Sequence, residues 1–481
     1  MYSKVHINRV RTGVPGLDEV LGGGLPEYSF NLLAGAPGSG KTTLAHQIMF
    51  KQATPERRAL YFTVLGEPPL KMLRYQQQFD FFDASKLESA VRFVNLADET
   101  LTGDLDGVLA RIVTETQAFS PSLVFVDSFR SVATVTRERG NSEHQLQLFV
   151  QELGMLMASW QATTFLLGEY THDDGLNPVF TVADGLISLR QSVERNSMVR
   201  KMEVMKMRGQ RTMPGLHTFR ISGGGLTVIP PAAQESPDLP SQDGRLNTGV
   251  PGLDEMLGGG LPRGYSMLVA GPSGSGKSLL ATAFLAEGCR QGETGVVAVF
   301  EQRPDHLRNA ELKKLVAGGK VTLVDSRAPD LSIDELVMLL VTEIRRVKAT
   351  RVVIDSLSGF ELAIAPTFRE DFRESLSRLV TALAHIGVTV LMTCELEDRY
   401  VDLRFSPYGT AFMTDAIIVQ RYVEMHGRLR RVMAVVKVRG SNHSDELRLF
   451  DISEKGIALG DSVAKLNGLL TGKPTRYDDS G

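Results

Sequence analysis

TGVPGLDEVLGGGLP, residues 12–26, returns as TGVPGLDEMLGGGLP at residues 248–262. One position differs, Val20 against Met256. The register continues without a gap into LLAGAPGSGKT and LVAGPSGSGKS, at a spacing of roughly 236 residues. A period of that length is a duplicated domain, since solenoid repeats run ~20–50 residues. Between the copies lies PPAAQESPDLPSQDG, residues 230–244, rich in Pro, Ser, Gln and Asp and poor in bulky apolar side chains. Such a stretch buries too little to order itself and reads as a linker. The chain therefore divides into a first domain at 1–229, a linker at 230–244, a second domain at 245–452 and a short tail at 453–481.

Apolar runs at 30–34, 59–64, 123–126 and 163–167 alternate with longer segments of helical periodicity. That alternation predicts an α/β fold in each half, a mainly parallel twisted sheet flanked by helices. A length of 481 residues gives each half room for its own core. Hydrophobic residues make up 42% and charged residues 23%, the balance of a water-soluble globular protein. A formal net charge of −3 argues against a chain-wide surface for nucleic acid. The two cysteines, Cys289 and Cys394, form neither a disulfide framework nor a CxxC metal pair. The N-terminus has no apolar core of a signal peptide, and no run reaches the ~18 apolar residues of a membrane span. A reducing, cytoplasmic setting without a membrane fits these features.

Within each copy, residues 35–42 and 271–278 fit GxxxxGK[ST]. Glycines let the backbone wrap a phosphate so that several N–H groups point inward, and the helix that follows presents its positive end to the same anion. The candidate nucleotide contacts are Gly35, Gly38, Ser39, Gly40, Lys41, Thr42 and Thr43 in the first copy. Gly271, Gly274, Ser275, Gly276, Lys277, Ser278 and Leu279 are their counterparts. Lys41 and Lys277 are placed to reach the β- and γ-phosphates of ATP, with Thr42 and Ser278 offering hydroxyls to Mg²⁺. An apolar run precedes each loop and a helical pattern follows it, as the motif requires. Downstream, LVFVD ends in Asp127 and RVVID ends in Asp355. A carboxylate at such a strand tip sits at the edge where doubly wound sheets bind ligands and orders Mg²⁺, mostly through water.

Taken together, the two entry motifs, the two P-loops, VDS and IDS, KMRG at 206–209 and QRYVEMHGRLRRVMAVVKVRGSNH at 420–443 resemble the KaiC family of RecA-like ATPases. The resemblance covers nearly the whole chain. It implies two tandem RecA-like domains in a double-layered, ATP-stabilised homohexamer, with ATP held between adjacent subunits. It also implies that Lys206 and Arg208, and Lys437 and Arg439, reach the neighbour's nucleotide. A cation supplied in trans at the γ-phosphate is how many P-loop ATPases stabilise transferring charge.

The family places paired glutamates after the strand that follows the P-loop helix. Here the first domain reads Gly66-Glu67 and the second Glu301-Gln302, so each keeps one candidate general base, Glu67 or Glu301. Glycine and an amide cannot take the proton of an attacking water. The two sites are therefore expected to differ in rate, with Glu169 and Glu395 as the next candidate bases. Clock members of the family carry adjacent Ser and Thr phosphoacceptors before a Thr-Asp dipeptide. Ala411 and Phe412 stand there in this chain, with Thr410 and Thr414 nearby. The expected function is a nucleotide-driven oligomeric switch acting on an unidentified protein partner. The alternatives are a Ser/Thr autokinase using the second domain and a RecA/RadA-like DNA-dependent ATPase. For the latter no zinc knuckle, helix-hairpin-helix or basic aromatic loop is visible.

Overall fold

The computed structural model describes residues 7–64, 69–101, 105–129, 143–170, 178–194, 197–231, 244–300, 309–324, 332–364, 372–396, 412–425, 427–454, 456–463, 466–467 and 475–476. A first compact unit takes in Met1–Val193 and Met198–Pro231, and a second the chain from Ala232 onward.

The main elements of the first unit are β1 (Phe30–Gly35), α1 (Lys41–Gln52), β2 (Ala59–Thr63), β3 (Val91–Asn95), α2 (Leu105–Phe119), β4 (Leu123–Asp127), α3 (Glu143–Ser159), β5 (Thr163–Gly168), β6 (Gly185–Glu194), β7 (Ser197–Met207), β8 (Leu216–Ser222) and β9 (Gly225–Ile229). The sheet order is β9-β8-β7-β6-β1-β5-β4-β2-β3. From β6 to β3 the strands pair in parallel. The four strands expected from the apolar runs all appear, each within a residue of the reading. Their residues are apolar on both faces because helices cover both. Leu33, Tyr61, Phe125 and Phe165 pack toward Leu44 and Ile48 of α1. Leu32, Leu60, Val124 and Leu166 pack toward the opposite layer, with Ile112 of α2 and Leu153 of α3.

The second unit repeats this plan with β10 (Ser266–Gly271), α4 (Lys277–Arg290), β11 (Gly295–Val299), β12 (Val321–Val324), α5 (Ile333–Val347), β13 (Arg351–Asp355), α6 (Phe372–Ile386), β14 (Thr389–Glu395), β15 (Ala416–Met425), β16 (Arg428–Val438), β17 (Arg448–Ser453) and β18 (Gly456–Ser462). Its order is β12-β11-β13-β14-β10-β15-β16-β17-β18. The last strand lies beyond residue 452, where the sequence reading ended the domain. It pairs antiparallel with β17, from Arg448↔Ser462 to Ser453↔Gly456. The sheet thus runs on into the stretch read as tail, because the alternation of GIALGDS is too short and polar to announce a strand without its partner.

The duplicated TGVPGLDE stretch proves to be a clasp. Thr12 donates its backbone N–H to Asp18 Oδ1 at 2.8 Å, and Thr248 does the same to Asp254 at 2.7 Å. The second unit also carries a buried ion pair without a counterpart among the described residues of the first. Arg351 opens β13 with 1% of its side chain exposed. Its Nε donates to Glu293 at 2.6 Å, and Nη1 donates to the carbonyls of Asn247 and Phe284 at 2.7 and 2.8 Å. Arg263 donates to the other oxygen of Glu293 at 2.8 Å. Gly288 makes room for this guanidinium inside α4: a Cβ there would stand 2.5 Å from Arg351 Nε. In the first unit Leu123 occupies the place of Arg351.

Candidate nucleotide sites at the carboxyl edges of the two sheets

β1 and β10 each run into the Gly-rich loop, and α1 and α4 begin at its lysine. Gly40 and Gly276 cap these helices with φ of 103° and 106°. A Cβ at Gly40 would meet Ile221 Cδ1 at 2.8 Å. Only glycine holds that positive φ in so close a space. Gly38 is the opposite case, with nothing within 4 Å of where a Cβ would point, so the loop is open on that side.

Lys41 Nζ donates to the carbonyls of Gly35 and Ala36 at 2.8 and 3.0 Å. Lys277 Nζ repeats the arrangement on Gly271 and Pro272 at 2.9 and 2.8 Å. Burial pulls the Lys41 pKa below its ordinary value, against the opposing pull of the Glu169 and Asp127 carboxylates. The loops differ at one serine. Ser275 donates to Gln420 Oε1 at 3.0 Å, whereas Leu189 stands at that place in the first unit and the buried Ser39 hydroxyl has no partner among the described residues.

Asp127 ends β4 beside the first loop. Its Oδ2 accepts from Thr42 Oγ1 at 2.9 Å and from Tyr61 Oη at 2.8 Å. Burial raises the Asp127 pKa, opposed by the hydrogen bonds from Tyr61 and Thr42 and by the charge of Lys41. Asp355 ends β13 in the same way, and its Oδ1 accepts from Thr393 Oγ1 at 2.5 Å. A carboxylate and a hydroxyl brought together beside a phosphate-type loop are hard oxygen donors that suit Mg²⁺. That ion takes one or two protein ligands and completes its shell with phosphate oxygens and water. Among the described residues no group of three or more His, Cys, Asp or Glu could form a metal site by itself. Tyr61 and Thr393 are contributions that sequence reading missed, because strand register alone brings them to the aspartates.

Lys206 and Arg208 lie elsewhere. Asp184 precedes β6, and its Oδ2 accepts from the N–H of Phe30, the first residue of β1. Arg208 donates to Asp184 Oδ1 at 3.1 Å, and its backbone N–H to the Asp184 carbonyl at 2.9 Å. Lys206 Nζ donates to the carbonyls of Phe180 and Thr181. The second unit repeats the aspartate contacts and holds its lysine on a different carbonyl. Asp415 Oδ2 accepts from Ser266, Arg439 donates to Asp415 Oδ1 at 3.4 Å, and Lys437 Nζ donates to the Thr414 carbonyl at 2.6 Å. Burial, then the adjacent arginine, lowers the pKa of Lys206 and of Lys437. The arginine side chains stay 60% and 51% exposed.

These cations therefore stand at the amino end of the strand whose carboxyl end carries the P-loop. Six residues of β1 place about 17 Å of strand between the two ends. The loop and the Lys–Arg pair of one domain do not share one site.

Glu67 and Glu301 lie outside the described residues, as does Thr410. β2 and β11 end at the P-loop edge, with Thr63 paired to Asp127 and Val299 to Asp355. Glu169 follows β5 on that same edge, close enough to Lys41 and Asp127 to act on both electrostatically. Thr414 is fully buried. Among the described residues no helix is long and apolar enough to cross a membrane.

The profile of the KaiC ATPases matches residues 10–233 and, separately, residues 246–463. The chain belongs to the KaiC family. Its relatives include the circadian clock oscillator protein KaiC of Picosynechococcus sp., 28% identical over 98% of this chain and 93% of that protein. The circadian clock protein KaiC3 of Synechocystis sp. is 28% identical over 97% and 95%. The oscillator protein KaiC of Synechococcus elongatus is 27% identical over 98% and 92%. Both P-loops thus belong to KaiC domains, an ATPase lineage that binds nucleotide with Mg²⁺.

Proposed function

We propose that each chain binds two ATP·Mg²⁺, hydrolyses them at junctions between neighbouring chains of a homohexamer, and works as a nucleotide-driven switch for a protein partner in the cytoplasm. The observation that carries this reading is the placement of P-loop and Lys–Arg pair at opposite edges of each sheet. A cation that stabilises charge on a bound γ-phosphate must come within hydrogen-bond reach of it. Lys206 and Arg208 cannot meet the nucleotide on their own domain's loop, and in this reading the nucleotide they meet belongs to a neighbouring chain. Mg²⁺ supplies charge neutralisation at the β- and γ-phosphates. Lys41 and Lys277 bind and orient the phosphates, and Thr42 with Asp127, and Ser278 with Asp355, hold the metal. Glu67 and Glu301 take the proton of the attacking water.

A ligand that bridges two chains binds only the assembled state, so mass action makes ATP an assembly factor. Arg208→Ala combined with Arg439→Ala is expected to loosen the assembly and slow hydrolysis with both folds intact. Size-exclusion mass measurement with and without ATP, coupled to phosphate release, checks this. A chain that stays monomeric in saturating ATP or a non-hydrolysable analogue refutes it.

Lys41→Ala and Lys277→Ala are each expected to remove about half of the bound nucleotide, since the motif lysine is the main side-chain cation on the phosphates. Equilibrium dialysis reads this directly, and a wild-type stoichiometry of one nucleotide per chain overturns it. The clock-type phosphorylation cycle is not part of the reading. Ala411 and Phe412 have no hydroxyl to attack a γ-phosphate, and Thr414 is buried.

A further inference from the structure

The two metal-site aspartates are held from opposite sides. Asp127 receives Tyr61 from β2, its neighbour toward the sheet edge. Asp355 receives Thr393 from β14, its neighbour toward the sheet centre. Neither donor has a counterpart in the other unit. By strand register Val297 stands where Tyr61 does, and Leu167 where Thr393 does. Neither Val nor Leu can donate a hydrogen bond.

Tyr61 is built for one direction of its hydroxyl. It is fully buried, and its ring is packed by His46 at 4.6 Å, Phe93 at 5.4 Å and Phe125 at 5.8 Å between centroids. The Phe125 ring is nearly parallel to it, at 18°. His46 projects from α1 one turn beyond Thr42, so the helix that carries the P-loop hydroxyl also braces the tyrosine. The second unit has Thr282 at that place, and its hydroxyl turns back to the Ser278 carbonyl at 2.9 Å. On the same Asp127 oxygen, Thr42 and Tyr61 converge at 2.9 and 2.8 Å. The oxygen is thus fixed between a rigid donor from the sheet and the hydroxyl that is to turn a lone pair toward the metal.

We infer that Tyr61 is a positioning residue for the divalent cation of the first site, a task that Thr393 performs from the other side in the second. The inference rests on Asp127 and Asp355 being the metal-site carboxylates of the proposed function. A carboxylate deprived of one of two donors rotates more freely and presents its metal-facing oxygen less often. A hydrogen bond to a charged group contributes enough to set an equilibrium tenfold or more. Removing the Tyr61 hydroxyl should therefore raise the Mg²⁺ requirement of the first site about tenfold and leave the second unchanged.

The experiment isolates one site at a time in the full chain. In a Lys277→Ala background, binding of a fluorescent ATP analogue is titrated with Mg²⁺ for Tyr61 and for Tyr61→Phe. In a Lys41→Ala background the same is done for Thr393 and Thr393→Val. The expected result is a Mg²⁺ midpoint raised about tenfold by Tyr61→Phe at the first site and by Thr393→Val at the second. Analogue binding in EDTA and the hydrogen-exchange protection of β2 in apo protein should stay close to the parent. Lost protection of β2 with an unmoved Mg²⁺ midpoint would make Tyr61 a packing residue and overturn the inference. Asp127→Asn separates the layers. If it too leaves the Mg²⁺ midpoint unmoved, the metal assignment itself has failed. If it shifts the midpoint while Tyr61→Phe does not, only the role of Tyr61 has failed.

Discussion

Glu67→Gln combined with Glu301→Gln is expected to lower kcat for ATP hydrolysis by at least ~10²-fold while ATP stays bound. The amide keeps the size of the side chain and its hydrogen-bonding reach but cannot accept the proton of the attacking water. Binding should survive because the phosphates are held by the loop and its lysine. Each single variant should remove one site's share of turnover, and the two losses should be unequal. Glu67 keeps the second position of the family's pair and Glu301 the first, so the two candidate bases differ in sequence position. Single-turnover phosphate release with prebound ATP separates this chemistry from assembly. Unchanged turnover in the double variant would move the base to Glu169 and Glu395. Glu169 already acts electrostatically on Lys41 and Asp127.

Glu293→Ala should cost the second domain about 3–5 kcal/mol, because it strands a buried Arg351 without its anion. Restoring an uncharged core should reverse the loss. Arg351→Leu together with Glu293→Leu copies the leucine that the first domain carries at Leu123 and removes both charges at once. Such apolar replacements of buried pairs are often neutral or stabilising. Two domains in one chain make a single unfolding midpoint ambiguous, so hydrogen exchange resolved to α4 and β13 is the measurement of choice. Protection that is unchanged in Glu293→Ala would refute the assignment. The pair also sets a sign for acid. Burial by itself raises the Glu293 pKa, but the hydrogen bonds and charges of Arg351 and Arg263 outweigh it and hold the group below its ordinary value. A carboxylate with a depressed folded pKa contributes stability that is present above its unfolded value of about 4.3 and lost as pH falls through the folded value.

The duplication, the P-loops and the strand-end aspartates are legible in sequence because each is written in consecutive residues. Strand runs such as 59–64 and 123–126 are legible because burial on both faces leaves a continuous apolar signature. Tyr61 falls inside one of those runs and reads there as one more core aromatic. Only the pairing of β2 with β4 brings its hydroxyl to Asp127, and pairing is not written locally. Gly288 and Arg351 stand 63 residues apart and explain each other only once α4 lies across β13. The family resemblance supplied Lys206, Arg208, Lys437 and Arg439 as a set. Their anchors, Asp184 and Asp415, are the signal that a closer comparison of the two halves would have yielded, since each stands just before the strand that pairs with β1 or β10. The strand at Gly456–Ser462 was missed because a sheet edge is defined by its neighbour rather than by its own residues.

The opposed edges of each sheet give each domain a direction, a receiving end and a giving end. Chains joined receiving end to giving end form a row in which every junction is served. However long the row grows, its first chain holds nucleotide that no arginine reaches and its last holds arginines with nothing to meet. Only a closed circle matches every end, and it does so without any contact reserved for closure. In such a circle a faulty giving end harms the neighbour on one side and spares its own nucleotide. In the proposed assembly the harm from one faulty chain would therefore fall on a single neighbour, always on the same side.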